Sequence, residues 1–243
     1  MKEKIIVTGS NGQLGKCLVR MLLEYGYEVI GIDIEHNEES QKLSGYSFYN
    51  LDIKNEDSTK NFFNSLIEKE SIVGLVNNAA TAVFTPFKNR TYEEIKSVMD
   101  VNLAGTIIMT KNFMNITETS IHPKRVVNLG SIYGEVAPDL SIYGDTPRMS
   151  SEIYGMTKAA IINFTKYLVS AYAGVNARFN CVSPGGIEFQ QGPEFKKKYA
   201  ARVPLGRMAN EKEIAEVICF LLSNKSSYLN GENIIVDGGL TKW

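Results

Sequence analysis

The sequence predicts an α/β fold, a doubly wound parallel sheet in one domain, and three observations predict it. Short β-branched runs alternate with longer amphipathic stretches along almost the whole chain. The strand candidates are apolar through their length rather than alternating, as expected where helices cover both faces of a parallel sheet. The first strand runs directly into a glycine-rich turn that opens a helix. The 243 residues fit one core of ordinary size, and no repeat, low-complexity tract or linker divides 1–243.

Element by element, Lys4 to Thr8 is the first strand and Leu14 to Tyr25 the first helix. Between them lies Thr8-Gly9-Ser10-Asn11-Gly12-Gln13-Leu14-Gly15. Glycines there let the backbone turn tightly and approach a pyrophosphate, which the free N–H groups of the helix start can bind. Strand and turn together make this a Rossmann-type nucleotide-binding start. The second strand, Glu28 to Asp33, ends in a carboxylate placed to accept hydrogen bonds from a ribose diol. The same charge repels a 2′-phosphate, and Ile34 supplies no compensating cation, so NAD is expected and NADP disfavoured. Further strands are read at Ser47 to Leu51, Gly74 to Asn77, Arg125 to Gly130, Asn176 to Ser183 and Asn233 to Val236. Helices are read at Ser58 to Glu70, Tyr92 to Ile116, Ser151 to Ala173 and Glu211 to Leu222. Right-handed crossovers then gather the strand C-termini, and any ligand, along one edge.

Composition narrows the function classes. A hydrophobic fraction of 44%, a charged fraction of 22% and a net charge of -1 describe an ordinary globular protein with no electrostatic case for nucleic acid or anionic membrane. The densest basic cluster, Lys196-Lys197-Lys198, reads as a solvated helix face. No apolar run reaches the roughly 18 residues of a membrane span, and a strand at Lys4 to Val7 leaves no room for a signal peptide. Cys17, Cys181 and Cys219 are too scattered for a disulfide framework, and with His36 and His122 they suggest no metal site. A reducing cytoplasm is the expected setting.

Four more segments follow in order: Leu51-Asp52-Ile53, Asn77-Asn78-Ala79-Ala80, Tyr154-Gly155-Met156-Thr157-Lys158 and Asn180-Cys181-Val182-Ser183-Pro184-Gly185. With the glycine turn and Val236-Asp237-Gly238-Gly239, they make the chain resemble the short-chain dehydrogenase/reductases over nearly its whole length. The resemblance implies a nicotinamide-dependent oxidoreductase, commonly a homodimer or homotetramer. It implies cofactor contacts at Asp52 and Ile53, at Asn78, Ala79 and Ala80, at Val101, and at Pro184, Gly185 and Ile187, beside those of the glycine turn, Asp33 and Ile34. It also implies a catalytic set of Asn102, Ser131, Tyr154 and Lys158. A tyrosine four residues before a lysine is not specific, since Tyr92 and Lys96 match as well; there an ordinary helix face with an i,i+4 pair is expected. Tyr154 is preferred because it follows Ser131, at the end of a strand, and precedes the Pro184-Gly185 turn.

The chemistry fits these residue types. Moving a hydride between a carbon and a nicotinamide requires a second group to handle the hydroxyl proton. A free tyrosine is a poor base at neutral pH, and Lys158, one helical turn on, is placed to favour its phenolate. By resemblance, Lys158 also holds the nicotinamide ribose, Ser131 holds the substrate oxygen, and Asn102 opens a helix to hold a relay water.

Three features depart from the short family pattern. The spacing Gly9-x-x-Gly12-x-x-Gly15 is that of longer members acting on nucleotide sugars, which would need a further substrate domain. Glu188-Phe189 follow Ile187 where many relatives place a threonine. The stretch 132–151 is an insertion between Ser131 and Tyr154, expected to wall or lid the substrate. Its Tyr133, Asp139, Tyr143, Asp145 and Arg148, together with Glu188, suggest a small polar, sugar-like substrate, with Arg148 a candidate for a phosphate or carboxylate. Gln190 to Arg202 is expected to be a mobile segment over the site, anchored by Phe195 and Tyr199. The competing readings are a nucleotide-sugar epimerase or dehydratase with a closed NAD cycle, and a sensor that binds NAD without turnover.

Overall fold

The computed structural model describes residues 2–37, 42–116, 122–144 and 149–243. These form a parallel sheet of β1 (Lys4–Thr8), β2 (Glu28–Asp33), β3 (Tyr46–Asn50), β4 (Ile72–Asn77), β5 (Lys124–Leu129), β6 (Ala177–Pro184) and β7 (Asn233–Val236). The spatial order is β3-β2-β1-β4-β5-β6-β7. The connections leave β1 and β4 in opposite directions, so a crevice opens between their C-terminal ends.

The helices are α1 (Gln13–Glu24), α2 (Glu56–Ser65), α3 (Tyr92–Met99), α4 (Thr106–Ile116), α5 (Glu152–Ala171), α6 (Pro193–Ala200) and α7 (Glu211–Leu222). Successive strand residues point to opposite faces, which explains why the strands are apolar throughout. Ile5 and Val7 pack with Leu18, Leu22, Ile218 and Leu222 of α1 and α7. Ile6 packs instead with Phe63, Phe113 and Leu168 of α2, α4 and α5. Burying a leucine- or phenylalanine-sized side chain contributes about 1.5–3 kcal/mol, so both layers hold the sheet strongly.

Three elements differ from the sequence reading. Helix α2 stops at Ser65 instead of Glu70, because Leu66 turns extended and Glu68 takes a left-handed conformation at φ 51°. A short 3₁₀ turn (Lys69–Ser71) then starts β4 at Ile72, in register with Lys4. The single helix expected over 92–116 is divided by a π-helical segment, Asp100–Gly105. Within the segment 190–202, Pro193 at the first position starts the two-turn helix α6.

Candidate active site

The glycine turn packs without room for side chains. Gly9 has φ 64°, and a Cβ there would lie 2.8 Å from the Ala79 backbone; a Cβ on Gly15 would lie 2.0 Å from the Gly9 carbonyl. Asn78 ties this turn to the end of β4, its side-chain amide donating to the carbonyls of Thr8 and Gly9 at 3.0 Å each. The α1 N-terminus begins at Gly12 with no side-chain cap and no acid in its first turn. Its N–H groups and dipole therefore suit an anion.

Beside it lies a cavity of about 540 Å³. Of the residues expected around the adenosine half of a cofactor, Gly9, Gly12, Gln13 and Leu14 line it from the turn. Asp33 and Ile34 line it from the end of β2, and Asp52, Ile53, Asn78, Ala79, Ala80 and Val101 complete the wall. Asn11 and Gly15, both buried, do not line it. The Asn11 backbone N–H donates to Asp33 Oδ2 at 2.9 Å, and Glu35 N–H donates to Oδ1 at 3.1 Å, fixing the carboxylate with lone pairs to spare. Ile187 lines neither large cavity; it bridges to Ala209 and packs into the core. Gln13 links the two halves of the site by donating to the Glu188 carbonyl and to Glu211 Oε1, both at 2.6 Å.

Tyr154 stands in the first turn of α5, its N–H donated to the N-cap Ser151 hydroxyl at 3.4 Å. Ser131, two residues after the end of β5, lies beside the Tyr154 phenol on the same cavity wall and acts to lower its pKa. One turn further along α5, Lys158 is 4% exposed and donates from Nζ to the Leu129 carbonyl at 2.7 Å. Its Nζ lies 5.5 Å from the Tyr154 ring centroid. Burial pushes the Lys158 ammonium down to about 8. Burial also raises the Tyr154 phenol, and Ser131 beside it only opposes this. Desolvation, rather than the lowering expected from Lys158, sets the direction of the Tyr154 shift.

Asn102 sits in the π-helical segment. Its Oδ1 accepts the Thr81 N–H at 2.8 Å; its Nδ2 donates to the Thr81 carbonyl at 3.0 Å and to Thr157 Oγ1 at 3.2 Å. The side chain thereby braces the chain after β4 against α5, one residue before Lys158. The Tyr92 and Lys96 pair is an ordinary helix face: Tyr92 is exposed, and Lys96 pairs with Asp100 one turn on.

Ser131 and Tyr154 open onto a second cavity, of about 620 Å³. Pro184, Gly185 and Gly186 form its floor, and Tyr133 and Tyr143 of the insertion, Phe84, and Phe195 and Tyr199 of α6 form aromatic walls. The rings of Tyr143 and Phe195 lie 5.3 Å apart, and those of Phe195 and Tyr199 6.0 Å apart. Tyr199 also accepts the Gly186 N–H at 2.5 Å. Burial and the neighbouring phenols raise Tyr133, which stays a neutral hydroxyl. Glu188, expected to touch substrate, is absent from this wall because its carboxylate accepts from Lys196 at 2.8 Å. Asp139 likewise turns away, capping Ser141 N–H and pairing with Arg202. Asp145 and Arg148 lie outside the described residues. Helix α6 carries Phe195 and Tyr199 one turn apart after Gly192-Pro193; the sequence reading took Lys196-Lys197-Lys198 as a solvated helix face and missed that Lys198 lines this wall.

A family model described as enoyl-(acyl carrier protein) reductase matches residues 10–241. A 3-oxoacyl-[acyl-carrier-protein] reductase of Aquifex aeolicus is 30% identical over 97% of this chain and 86% of its own length. An NADH-dependent L-xylulose reductase of Ambrosiozyma monospora is 26% identical over 98% and 94%. Among solved structures, a short-chain dehydrogenase of Leptospira borgpetersenii with bound NAD+ is 37% identical and superposes with a TM-score of 0.93, covering 99% of this chain and 93% of that one. The glycine turn, the seven-stranded order and these matches agree: the chain belongs to the short-chain dehydrogenase/reductase family and is an oxidoreductase acting on CH–OH and keto groups.

Proposed function

We propose that the protein is an NAD(H)-dependent oxidoreductase that interconverts an alcohol and a ketone, with Tyr154 as its acid and base. The observation that carries this reading is the Tyr154 phenol, beside Ser131 on the wall of the larger cavity with Lys158 beneath it. The residues present fit a dinucleotide: the uncapped α1 terminus for its phosphates and Asp33 for its ribose diol. When bound, a nicotinamide supplies or accepts the hydride at the substrate carbon.

The protein's own residues handle the oxygen. Ser131 holds the substrate oxygen beside Tyr154. In the reducing direction Tyr154 gives it the phenolic proton, and in the oxidising direction the phenolate removes one. Lys158 is mostly an ammonium at neutral pH with its pKa near 8, so its charge favours the phenolate whenever that forms. Asn102 positions Lys158 through Thr157 rather than touching substrate.

NAD is favoured over NADP because Asp33 faces the ribose, and the one cation among the described residues of that cavity wall, Lys54, is engaged with Asp52 at 3.2 Å. The bound NAD+ of the Leptospira structure and the NADH named for the xylulose reductase support the same choice. For a small polar, sugar-like substrate, Gln190, Gln191 and the tyrosine hydroxyls offer hydrogen bonds, while Phe84 and Phe195 lie along the carbon frame. The closed-cycle and sensor readings gain nothing from the relatives, which are named as reductases and dehydrogenases. The exposed apolar side chains Ile107, Met156 and Tyr167 on α4 and α5 support a homodimer or homotetramer. The free thiols of all three cysteines suit a reducing compartment such as the cytoplasm.

The test is titration with NAD(H) and NADP(H), followed by a ketone and alcohol panel read at the reduced-nicotinamide absorbance. Tyr154→Phe is expected to lower kcat by roughly 10²–10⁴ with NADH binding retained. Undiminished turnover in that variant would remove Tyr154 from the chemistry.

A further inference from the structure

We propose that Lys198 is the specificity-determining residue of the larger cavity, selecting alcohol and ketone substrates that carry an anionic group, a carboxylate or a phosphate. This rests on the reading above that the cavity receives the substrate.

The run Lys196-Lys197-Lys198 reads in sequence as one solvated face, and the structure separates its members. Lys196 is held by Glu188 at 2.8 Å. Lys197 is exposed and lies off the cavity wall. Lys198 lines the cavity, because helical spacing sets it on the same face as Glu194, Phe195 and Tyr199. Its ammonium reaches across to the insertion, where a Cβ on Gly144 would lie only 3.5 Å from Nζ. Among the described residues lining the cavity it is the sole cation, and apart from Glu194 the others are uncharged, many of them aromatic.

Glu194 does not satisfy it. That i,i+4 pair is 3.9 Å long, with the two side chains 73% and 41% exposed for Glu194 and Lys198. An ion pair this long and this exposed is worth little, so a substrate anion can replace it. A substrate seated against the aromatic walls excludes water from one side of the Lys198 ammonium, so a charge-assisted hydrogen bond to its anion is stronger than the long, exposed Glu194 pair. Helix α6 thus carries both the stacking surface for the carbon frame and one positive charge for the far end of the substrate.

The experiment compares kcat/KM for matched ketones with NADH: dihydroxyacetone phosphate against dihydroxyacetone, and 4-oxopentanoate against its methyl ester. The native protein is expected to prefer the anionic member of at least one pair by about tenfold or more. The pair that shows the preference tells phosphate from carboxylate. Lys198→Gln is expected to bring that ratio close to one, Glu194→Gln to raise it, and Lys197→Gln to leave it in place. Calorimetric binding of succinate and of inorganic phosphate to the NAD-loaded protein gives a readout independent of turnover, with at least one anion bound and weakened about fivefold or more by Lys198→Gln. Equal ratios in native protein and Lys198→Gln, or anion binding insensitive to that change, would overturn the assignment. If Tyr154→Phe turned over normally, the catalytic reading would fall, and the anion-binding comparison would still decide the role of Lys198.

Discussion

Replacing Lys158 with methionine separates what this residue does for the chemistry from what it costs the fold. The ammonium is 4% exposed, and burial holds its pKa at about 8, against roughly 10.4 in an unfolded chain. Below pH 8 both states are protonated, and the folded state bears the full penalty of a buried charge, about 3 kcal/mol. Between the two values the unfolded chain holds a proton that the folded one has released, so native stability rises with pH. From pH 7 to pH 10 that rise amounts to about 2–3 kcal/mol for this one residue. At pH 7 the methionine variant escapes the penalty but leaves the Leu129 carbonyl without its 2.7 Å donor, a loss of about 1–3 kcal/mol. The net change at pH 7 is therefore small, and the pH dependence is the clear observable. Urea unfolding of the ligand-free protein at pH 7 and pH 10 should show the native protein gaining about 2–3 kcal/mol on the variant. Lys124 provides the comparison, since burial also pushes it down to about 8 while it donates to the Ile72 carbonyl at the opposite end of β5. Lys124→Met should show the same pH effect with turnover intact, whereas Lys158→Met should lose turnover. Parallel stabilities of native protein and Lys158→Met across this pH range would refute the buried-ammonium argument.

Two further changes probe the cofactor cradle. Gly15→Ala places a Cβ 2.0 Å from the Gly9 carbonyl, an overpacking expected to cost about 1–3 kcal/mol or more in urea unfolding and to weaken NADH binding seen by fluorescence titration. Gly192→Ala, where nothing lies within 4 Å of the new carbon, should by contrast be close to neutral, within about 1 kcal/mol, because the smaller loss of chain entropy offsets glycine's advantage as the N-cap of α6. Asp33→Ser removes the carboxylate that would repel a 2′-phosphate, so the NADH-to-NADPH ratio of Kd values should shift toward NADPH by about tenfold or more. An unchanged ratio would place discrimination elsewhere.

The sheet was legible because Ile5 and Ile6 meet the same physical demand on opposite faces, which leaves a continuous apolar run in the sequence. The glycine turn was legible for a similar reason: its spacing states directly where no side chain fits. The break in the helix over 92–116 was not legible in the periodicity. It centres on Asn102, whose partners at Thr81 and Thr157 are distant in the chain, so no local pattern announces them. Glu188 was expected at the substrate from its place after the Pro184-Gly185 turn, yet the ammonium of Lys196 claims its carboxylate. Asp139 was read as a polar wall from its place in the insertion between Ser131 and Tyr154 and is claimed by Arg202. Helix α6 did leave a signal, proline after glycine followed by Phe195 and Tyr199 one turn apart, although only the folded chain shows Lys198 facing inward.

The hydrogen bond from the Gly186 N–H to the Tyr199 hydroxyl has a thermodynamic consequence. Gly186 belongs to the turn expected at the nicotinamide end, and Tyr199 belongs to α6 on the wall of the larger cavity, so one bond joins the two regions expected to bind cofactor and substrate. A Cβ on Gly186 would lie 2.6 Å from the Tyr199 ring, so the turn and the helix are in close contact. On the proposed reading, a ligand that holds one of them in place also holds the other, and the coupling is reciprocal. The affinities for cofactor and substrate are therefore expected to be linked quantities, each raised by the presence of the other.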